Sequence, residues 1–167
     1  MKAIKAAGEL ILKGGKYSLD SADDTIHSNA NITISDGEFT LASGDDGIHA
    51  DSATTISGGT IDITESYEGI EGLSIDITGG ETYVSGPTND GNSALDYNGT
   101  GTVTGGIFIA AGSSGMAENF GDSSTQGVMM VTVNSQAAGS AVSLSDSSGN
   151  ELVSWTPEKE YTSVIIS

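Results

Sequence analysis

Residues 23–27 read DDTIH, residues 45–49 read DDGIH and residues 67–71 read YEGIE, so one pattern returns every 22 positions. A second pattern follows each of these segments eight or nine residues later. It consists of two small turn-forming residues, at Gly14-Gly15, Asp36-Gly37, Gly58-Gly59 and Gly79-Gly80. A fixed period between 20 and 50 residues is typical of solenoids and repeat arrays. The repeat therefore decides the fold class.

Within each 22-residue unit, apolar residues alternate with polar ones. The stretches Ile32–Ile34 and Phe39–Leu41 show this period of two, which indicates β-strands. A third, shorter strand contributes one isoleucine per unit: Ile4, Ile26, Ile48 and Ile70. Three short strands and three corners in 22 residues describe one coil of a parallel β-helix, with coils stacked about 4.8 Å apart. The sequence predicts an all-β fold of about five such coils.

The repeat defines two regions, a parallel β-helix over residues 1–112 and a C-terminal β cap over residues 113–167, packed on the end of the helix. The fifth coil is longer, and its extra residues fall at residues 86–90, where we expect a protruding loop. Beyond residue 112, four further strands are predicted as a small antiparallel sheet: 128–133, 141–144, 151–155 and 161–166. Residues 146–150 form the predicted hairpin turn. Such a cap would cover the unpaired backbone at the end of a solenoid.

The composition excludes several classes of partner. The chain has 167 residues and a net charge of −18, from 23 acidic residues against five lysines and no arginine. Nucleic acid is excluded as a partner because no basic surface is available to displace phosphate counterions. No cysteine is present, and no apolar run approaches the roughly 20 residues of a membrane span, so we expect no membrane insertion. No signal peptide precedes the first repeat unit.

The repeat stacks acidic residues on one another. A period of 22 places Asp24 below Asp46 and Asp46 below Glu68, with Asp23 below Asp45 beside them. A neighbouring column holds Lys5, His27, His49, Glu71 and Asp96. Carboxylates about 4.8 Å apart repel each other by roughly 3 to 4 kcal/mol at an effective dielectric near 20. Such a stack requires protons, counterions or a bound cation, and oxygen-rich sets of this kind suit Ca²⁺.

Three calcium sites are predicted. The first uses Asp46, Glu68, Glu71 and the carbonyl of Ile70. The second lies one coil earlier and uses Asp24, Asp45 and Asp46, with Asp23 beside them. The third uses Glu71, Asp90 and Asp96. Two alternatives remain open: the aspartates cap turns, as aspartate commonly does, or His27 and His49 belong to a transition-metal site, which no other residue completes in the sequence.

Several segments resemble a known family. Residues 21–28, 43–51 and 66–72, together with residues 134–139 and 149–152, are similar to a family of bacterial secreted carbohydrate-binding proteins. The resemblance implies a right-handed parallel β-helix, similar in fold to pectate lyases, that binds calcium. It also implies binding of cellulose or of acidic plant polysaccharides such as polygalacturonate. The chain is shorter than the family's pattern.

The sequence favours a non-catalytic binding protein over an enzyme. A pectate lyase requires a base close to calcium, and the only lysine in the relevant column, Lys5, lies two coils from the first predicted site. No arginine can clamp a uronate carboxylate. We therefore expect calcium-dependent binding of plant cell-wall polysaccharide, with Tyr67, Tyr83 and Tyr97 as outward rings that stack on sugars.

Two other classes remain open. Outward threonines such as Thr33 and Thr55 resemble the hydroxyl columns of ice-binding solenoids, although Asp76 interrupts the column. The second class is a structural subunit of an extracellular fibre, in which the uncapped N-terminal coil pairs head to tail with another copy of the chain. An extracellular or cell-surface location is expected for either binding or fibre formation.

Overall fold

The computed structural model describes residues 1–167 as fourteen β-strands without a helix. The strands are β1 (Ile4–Ala6), β2 (Leu10–Ser21), β3 (Ile26–Ser28), β4 (Ile32–Ser43), β5 (Asp46–Ile56), β6 (Thr60–Glu65), β7 (Glu68–Ile77), β8 (Glu81–Ser85), β9 (Leu95–Val103), β10 (Ile107–Gly112), β11 (Met129–Gln136), β12 (Val142–Ser145), β13 (Glu151–Trp155) and β14 (Tyr161–Ile166). No helix capable of crossing a membrane is found.

Strands β1 to β10 form five stacked coils, two strands to a coil, and every neighbouring pair of coils is joined by parallel pairing. The long strands β2 and β4 bend at the glycine corners and so cover two faces of the coil each. Ile4, Ile26, Ile48, Ile70 and Leu95 lie directly over one another in the ladder. The 22-residue register and the β-solenoid of about five coils are therefore confirmed.

The core is a column of aliphatic side chains inside the coils. Ile26, Ile48 and Ile70 are fully buried, and so are Ile34 and Ile56 in the neighbouring column. A fully buried aliphatic side chain contributes roughly 1.5–3 kcal/mol from removal of its surface from water. In the second, third and fourth coils every face contributes at least one such residue, which lets a chain with few aromatic residues form a continuous core.

The second corner of the coil depends on glycine. Gly59, Gly80 and Gly106 have φ values of +86°, +80° and +88° and follow one another in the stack. A Cβ atom added to Gly80 would lie 2.7 Å from the Gly59 carbonyl oxygen. Glycine is required here because both the positive φ and the close approach of two coils exclude a side chain.

The C-terminal residues divide between two places. Strand β14 pairs antiparallel with β10 of the last coil, and β11 pairs with β14, so both strands extend a solenoid sheet and do not form a sheet of their own. Strands β12 and β13 form the separate antiparallel sheet, so the predicted small sheet is confirmed with two of its four predicted strands. Asp146 N donates to the Asn150 carbonyl at 2.9 Å in the predicted turn.

The β12–β13 hairpin covers the outer face of the extended sheet. Ile109 and Ile166 point outward and belong to a second apolar cluster, against which Leu144 and Trp155 of the hairpin pack. Ile165 and Phe120 join the core inside the coils at its C-terminal end. The Phe120 ring meets the Phe108 ring edge-on, at a centroid distance of 4.9 Å. Alternate side chains of β10 and β14 therefore pack into two different cores, one inside the solenoid and one on its outer face.

Candidate functional site

The stacked acids lie at the corner that leads into β3, β5 and β7. Asp24 and Asp46 are almost completely buried, at 2% and 6% exposure, and each carboxylate lies within hydrogen-bond distance of the histidine three residues later. Asp46 and Glu68 are ladder partners, and so are His49 and Glu71. Stacking of the coils thus brings together residues that lie 22 positions apart in the sequence.

A lysine occupies the first acidic pair. Lys2 Nζ donates to Asp23 Oδ1 at 2.8 Å and to Asp24 Oδ2. These hydrogen bonds and the positive charge lower the pKa values of Asp23 and Asp24, in the case of Asp24 against the effect of burial. Sequence reasoning missed Lys2, although Lys2 stands 22 residues before Asp24 and the same register identifies it. The second predicted calcium site therefore lies beside an ammonium group.

Asp46, His49 and Glu71 form the centre of the site. His49 Nδ1 lies 2.8 Å from Asp46 Oδ2 and 2.6 Å from Glu71 Oε2, so two carboxylates meet at a single N–H group. Their potential ligand atoms, and separately those of Asp23, Asp24 and Asp45, lie within 4.8 Å of one another. The first group could hold a metal ion, whereas in the second the ammonium group of Lys2 already bonds Asp23 and Asp24.

The protonation of this centre reflects crowding of negative charge. Burial, together with repulsion from Asp46 and other nearby acids, raises the pKa of Glu68 to about 7. Burial and the contact with Asp46 raise the pKa of Glu71 to about 7. The hydrogen bond to Asp46, opposed by burial and assisted by the charge of Glu71, raises the pKa of His49 to about 9. Near neutral pH these carboxyl groups hold protons that a cation could replace.

The other predicted ligands lie at the edge of this centre or away from it. Ile70 is fully buried in β7, and its N–H donates to Ala94 O at 3.2 Å. Asp96 is the ladder partner of Glu71 and contributes to the raised pKa of Glu68. Asp90 instead bonds the Ser113 hydroxyl in the exposed loop. The roles of these three residues as calcium ligands stay predictions.

The three tyrosines differ in exposure. Tyr67 is 50% exposed beside Glu68, as expected for a ring that meets a ligand. Tyr83 points outward, but Trp155 of the hairpin stacks on it at a centroid distance of 5.8 Å. Tyr97 is half-buried and donates its hydroxyl to Asn119 O at 2.6 Å. Tyr83 is thus less accessible than the sequence predicted, because the hairpin covers the outer face of β8.

A groove adjoins the acidic column at the last coil. It has a volume of about 510 Å³ and is lined by Tyr97 and Asp96, with Met116 and Glu118 from the loop before β11. The repeat does not predict the loop's contribution, since residues 113–128 lie outside it. The groove combines an aromatic ring, an exposed thioether and carboxylates, which is a surface suited to a sugar with its apolar face and hydroxyl groups.

Comparison with known proteins gives one match. A family model described as "Carbohydrate-binding domain-containing protein" matches residues 1–47, which span the first two coils and the start of the third. No curated protein and no solved structure matches the chain. The match supports carbohydrate binding in general terms and is in keeping with a non-catalytic role.

Proposed function

We propose that this protein is a non-catalytic, calcium-dependent carbohydrate-binding protein for plant cell-wall polysaccharide, either cellulose or polygalacturonate, outside the cell or on its surface. The observation that carries the proposal is the meeting of Asp46 and Glu71 at the single N–H of His49, below Glu68. Carboxylates that retain protons near neutral pH are a set in which a divalent cation relieves repulsion. The family match at residues 1–47 supports the sugar ligand.

The lysines favour binding over catalysis. A lysine base must lose its proton near neutral pH, which requires a lowered pKa. Lys2 is the lysine closest to the acids, and its hydrogen bonds to Asp23 and Asp24 raise its pKa in spite of burial. Lys5, in the column itself, is exposed. Neither side chain has the surroundings of a base for β-elimination from a uronate. Burial lowers the pKa of Lys159, but this lysine lies beside Glu65 and donates to the Ser66 carbonyl at 2.8 Å, and none of Asp46, Glu68 and Glu71 shifts its pKa.

Tyr67 and the groove at Tyr97 are the proposed sugar contacts. Tyr67 presents an exposed ring next to Glu68, and Tyr97 forms one wall of the groove beside Asp96. A calcium ion at Glu68 and Glu71 would lie between them along the acidic column. It would bind sugar hydroxyl groups directly, or bridge a uronate carboxylate to an otherwise repulsive acidic surface.

The proposal is tested by two measurements on the intact chain. The first is a thermal melt with calcium and with EDTA; a ligand that binds only the folded state raises the melting temperature, and an unchanged temperature would remove calcium from the proposal. The second is retention on insoluble cellulose and on immobilised polygalacturonate, each with calcium and with EDTA. Retention by neither polymer in calcium would refute the carbohydrate assignment.

A second candidate function, a subunit of an extracellular fibre, is favoured by strand β11. This strand is the last in its sheet, carries no charged residue, and exposes Met129, Met130 and Val131. Unpaired, uncharged edges favour pairing with another chain. Size-exclusion chromatography and negative-stain images, with and without calcium, would show filaments if this function is correct and monomers if the protein is only a binder.

A further inference from the structure

Strand β11 is an unprotected edge of the extended solenoid sheet. It pairs with β14 on one side and with no strand on the other. Its register with β14 is regular over Met129–Thr132, where Met129, Met130 and Val131 are 46%, 42% and 38% exposed. Soluble proteins block such edges with charged residues, proline or a covering segment, because free N–H and C=O groups pair with another strand. The regular part of β11 carries neither a charge nor a proline.

The edge lies in the longest uncharged stretch of the chain. Residues 123–145 contain no acidic residue and no lysine, although the chain has 23 acids and five lysines. Two copies with a net charge of −18 each repel each other, so they approach at the lowest cost where neither presents a charge.

The charges also distinguish between the two free edges of this sheet as partners for β11. The other edge is β2, which pairs only with β4 and carries Lys13, Lys16 and Asp20. A contact between β2 and β11 would remove some of these charges from water against an apolar edge, which is costly. A second β11 brings no charge, so the pattern favours β11 of another copy as the partner strand.

An apolar groove opens beside the same edge. It has a volume of about 360 Å³ and lies between the outer face of β11 and β14 and strand β12 of the hairpin. Met129 and Val131 line it, together with Val142, Leu144 and Ile166. A strand added to β11 would extend this face and remove apolar side chains from water.

We propose that the protein forms a two-fold symmetric dimer in which the β11 strands of two copies pair antiparallel. A two-fold axis at Met130 keeps the pairing within the regular part of the strand. It places each Met130 opposite its symmetry mate and each Met129 opposite Val131 of the other copy. Since alternate residues of a strand share a face, the Met129–Val131 pairs lie on the outer face, beside the groove.

The two-fold contact closes the assembly at two copies, as in most soluble oligomers, whereas a head-to-tail contact would continue into a fibre. The contact uses neither calcium nor sugar. The dimer therefore stands or falls independently of the proposed binding function.

The first test is the mass of the intact chain in EDTA, measured by size-exclusion chromatography with light scattering. A dimer has twice the mass of the 16.8 kDa chain and should dissociate on dilution. A mass of 16.8 kDa at every concentration up to the limit of solubility would overturn the proposal. Filaments would overturn it too, because they require a contact that does not close.

Crosslinking tests which strands meet. The chain has no cysteine, so a single introduced thiol reports on one position. A short bis-maleimide should link Met130→Cys into a covalent dimer, because Cβ atoms directly opposite each other in an antiparallel pair are about 4.5–5.5 Å apart. Thr60→Cys, exposed on β6 of the same sheet, is the matched control and should remain unlinked. No link at Met130, or equal linking at both positions, would contradict the β11 contact.

A charge on the edge should separate the two copies. Val131→Lys should raise the dimer dissociation constant at least tenfold, whereas Thr60→Lys adds the same charge away from the edge and should leave it unchanged. Equal dissociation constants for the two variants would contradict the proposal. The Met130→Cys crosslink decides the question if Val131→Lys fails to fold.

Discussion

Replacement of Glu71 by glutamine should stabilise the protein in EDTA and abolish its response to calcium. The folded state raises the pKa of this carboxyl from 4.5 to about 7, so the folded protein binds its proton more tightly than the unfolded chain does. Stability therefore falls as the pH rises through this interval. Glutamine resembles the protonated carboxyl group and does not lose stability in this way.

The size of the effect follows from the same interval. At about 1.4 kcal/mol per pH unit, the interval from 4.5 to about 7 corresponds to about 3.5 kcal/mol, and the 28% exposure of the Glu71 side chain reduces this to about 2 kcal/mol. At pH 8 in EDTA, Glu71→Gln should therefore melt roughly 4–8 °C above the wild type. At pH 5 the difference should fall below about 1 kcal/mol.

Calcium should reverse this order. At a concentration of 100 times its Kd, calcium stabilises the wild type by about 2.7 kcal/mol, whereas the variant lacks a charged ligand and should gain much less. Glu151→Gln, on the exposed hairpin, is the matched control and should follow the wild type in both buffers. A variant less stable than the wild type in EDTA at pH 8, or one with the full calcium response, would refute this account of Glu71.

Three further changes test the fold and the sugar surface. Ile48→Ala leaves a cavity in the fully buried isoleucine column and should lower the free energy of unfolding by about 2–5 kcal/mol in denaturant titrations; a loss below about 1 kcal/mol would mean that the coils collapse around the gap. Gly80→Ala, with its φ of +80° and its 2.7 Å approach to the Gly59 carbonyl, should cost more than about 1 kcal/mol, whereas alanine at the unobstructed Gly127 should cost less. Tyr67→Ala removes a half-exposed ring and should weaken retention on polysaccharide while the melting temperature stays within about 2 °C; unchanged retention would exclude this ring from the sugar surface.

The sequence by itself determined the coils and the columns. In a solenoid, contacts between neighbouring coils join residues one period apart, so a period of 22 was enough to pair Ile48 with Ile70 and Asp46 with Glu68. The same regularity predicted the glycine corners. Lys2 obeys this register too, and its contact with Asp24 was therefore within reach of sequence reasoning.

The tertiary structure decided whatever does not follow the period. The position of the β12–β13 hairpin over Tyr83 depends on apolar side chains that point outward from β8, β10 and β14, and no repeat specifies which face a non-repeated segment will cover. The same holds for Phe120 and Glu118, in a loop without a pattern. Asp51 faces Nε2 of His49, and Asp46 faces Nδ1, because the backbone geometry of β5 sets the direction of each side chain. A period gives the neighbours of a residue along the stack, whereas the direction of its side chain and the surface covered by a free segment are settled by packing in three dimensions.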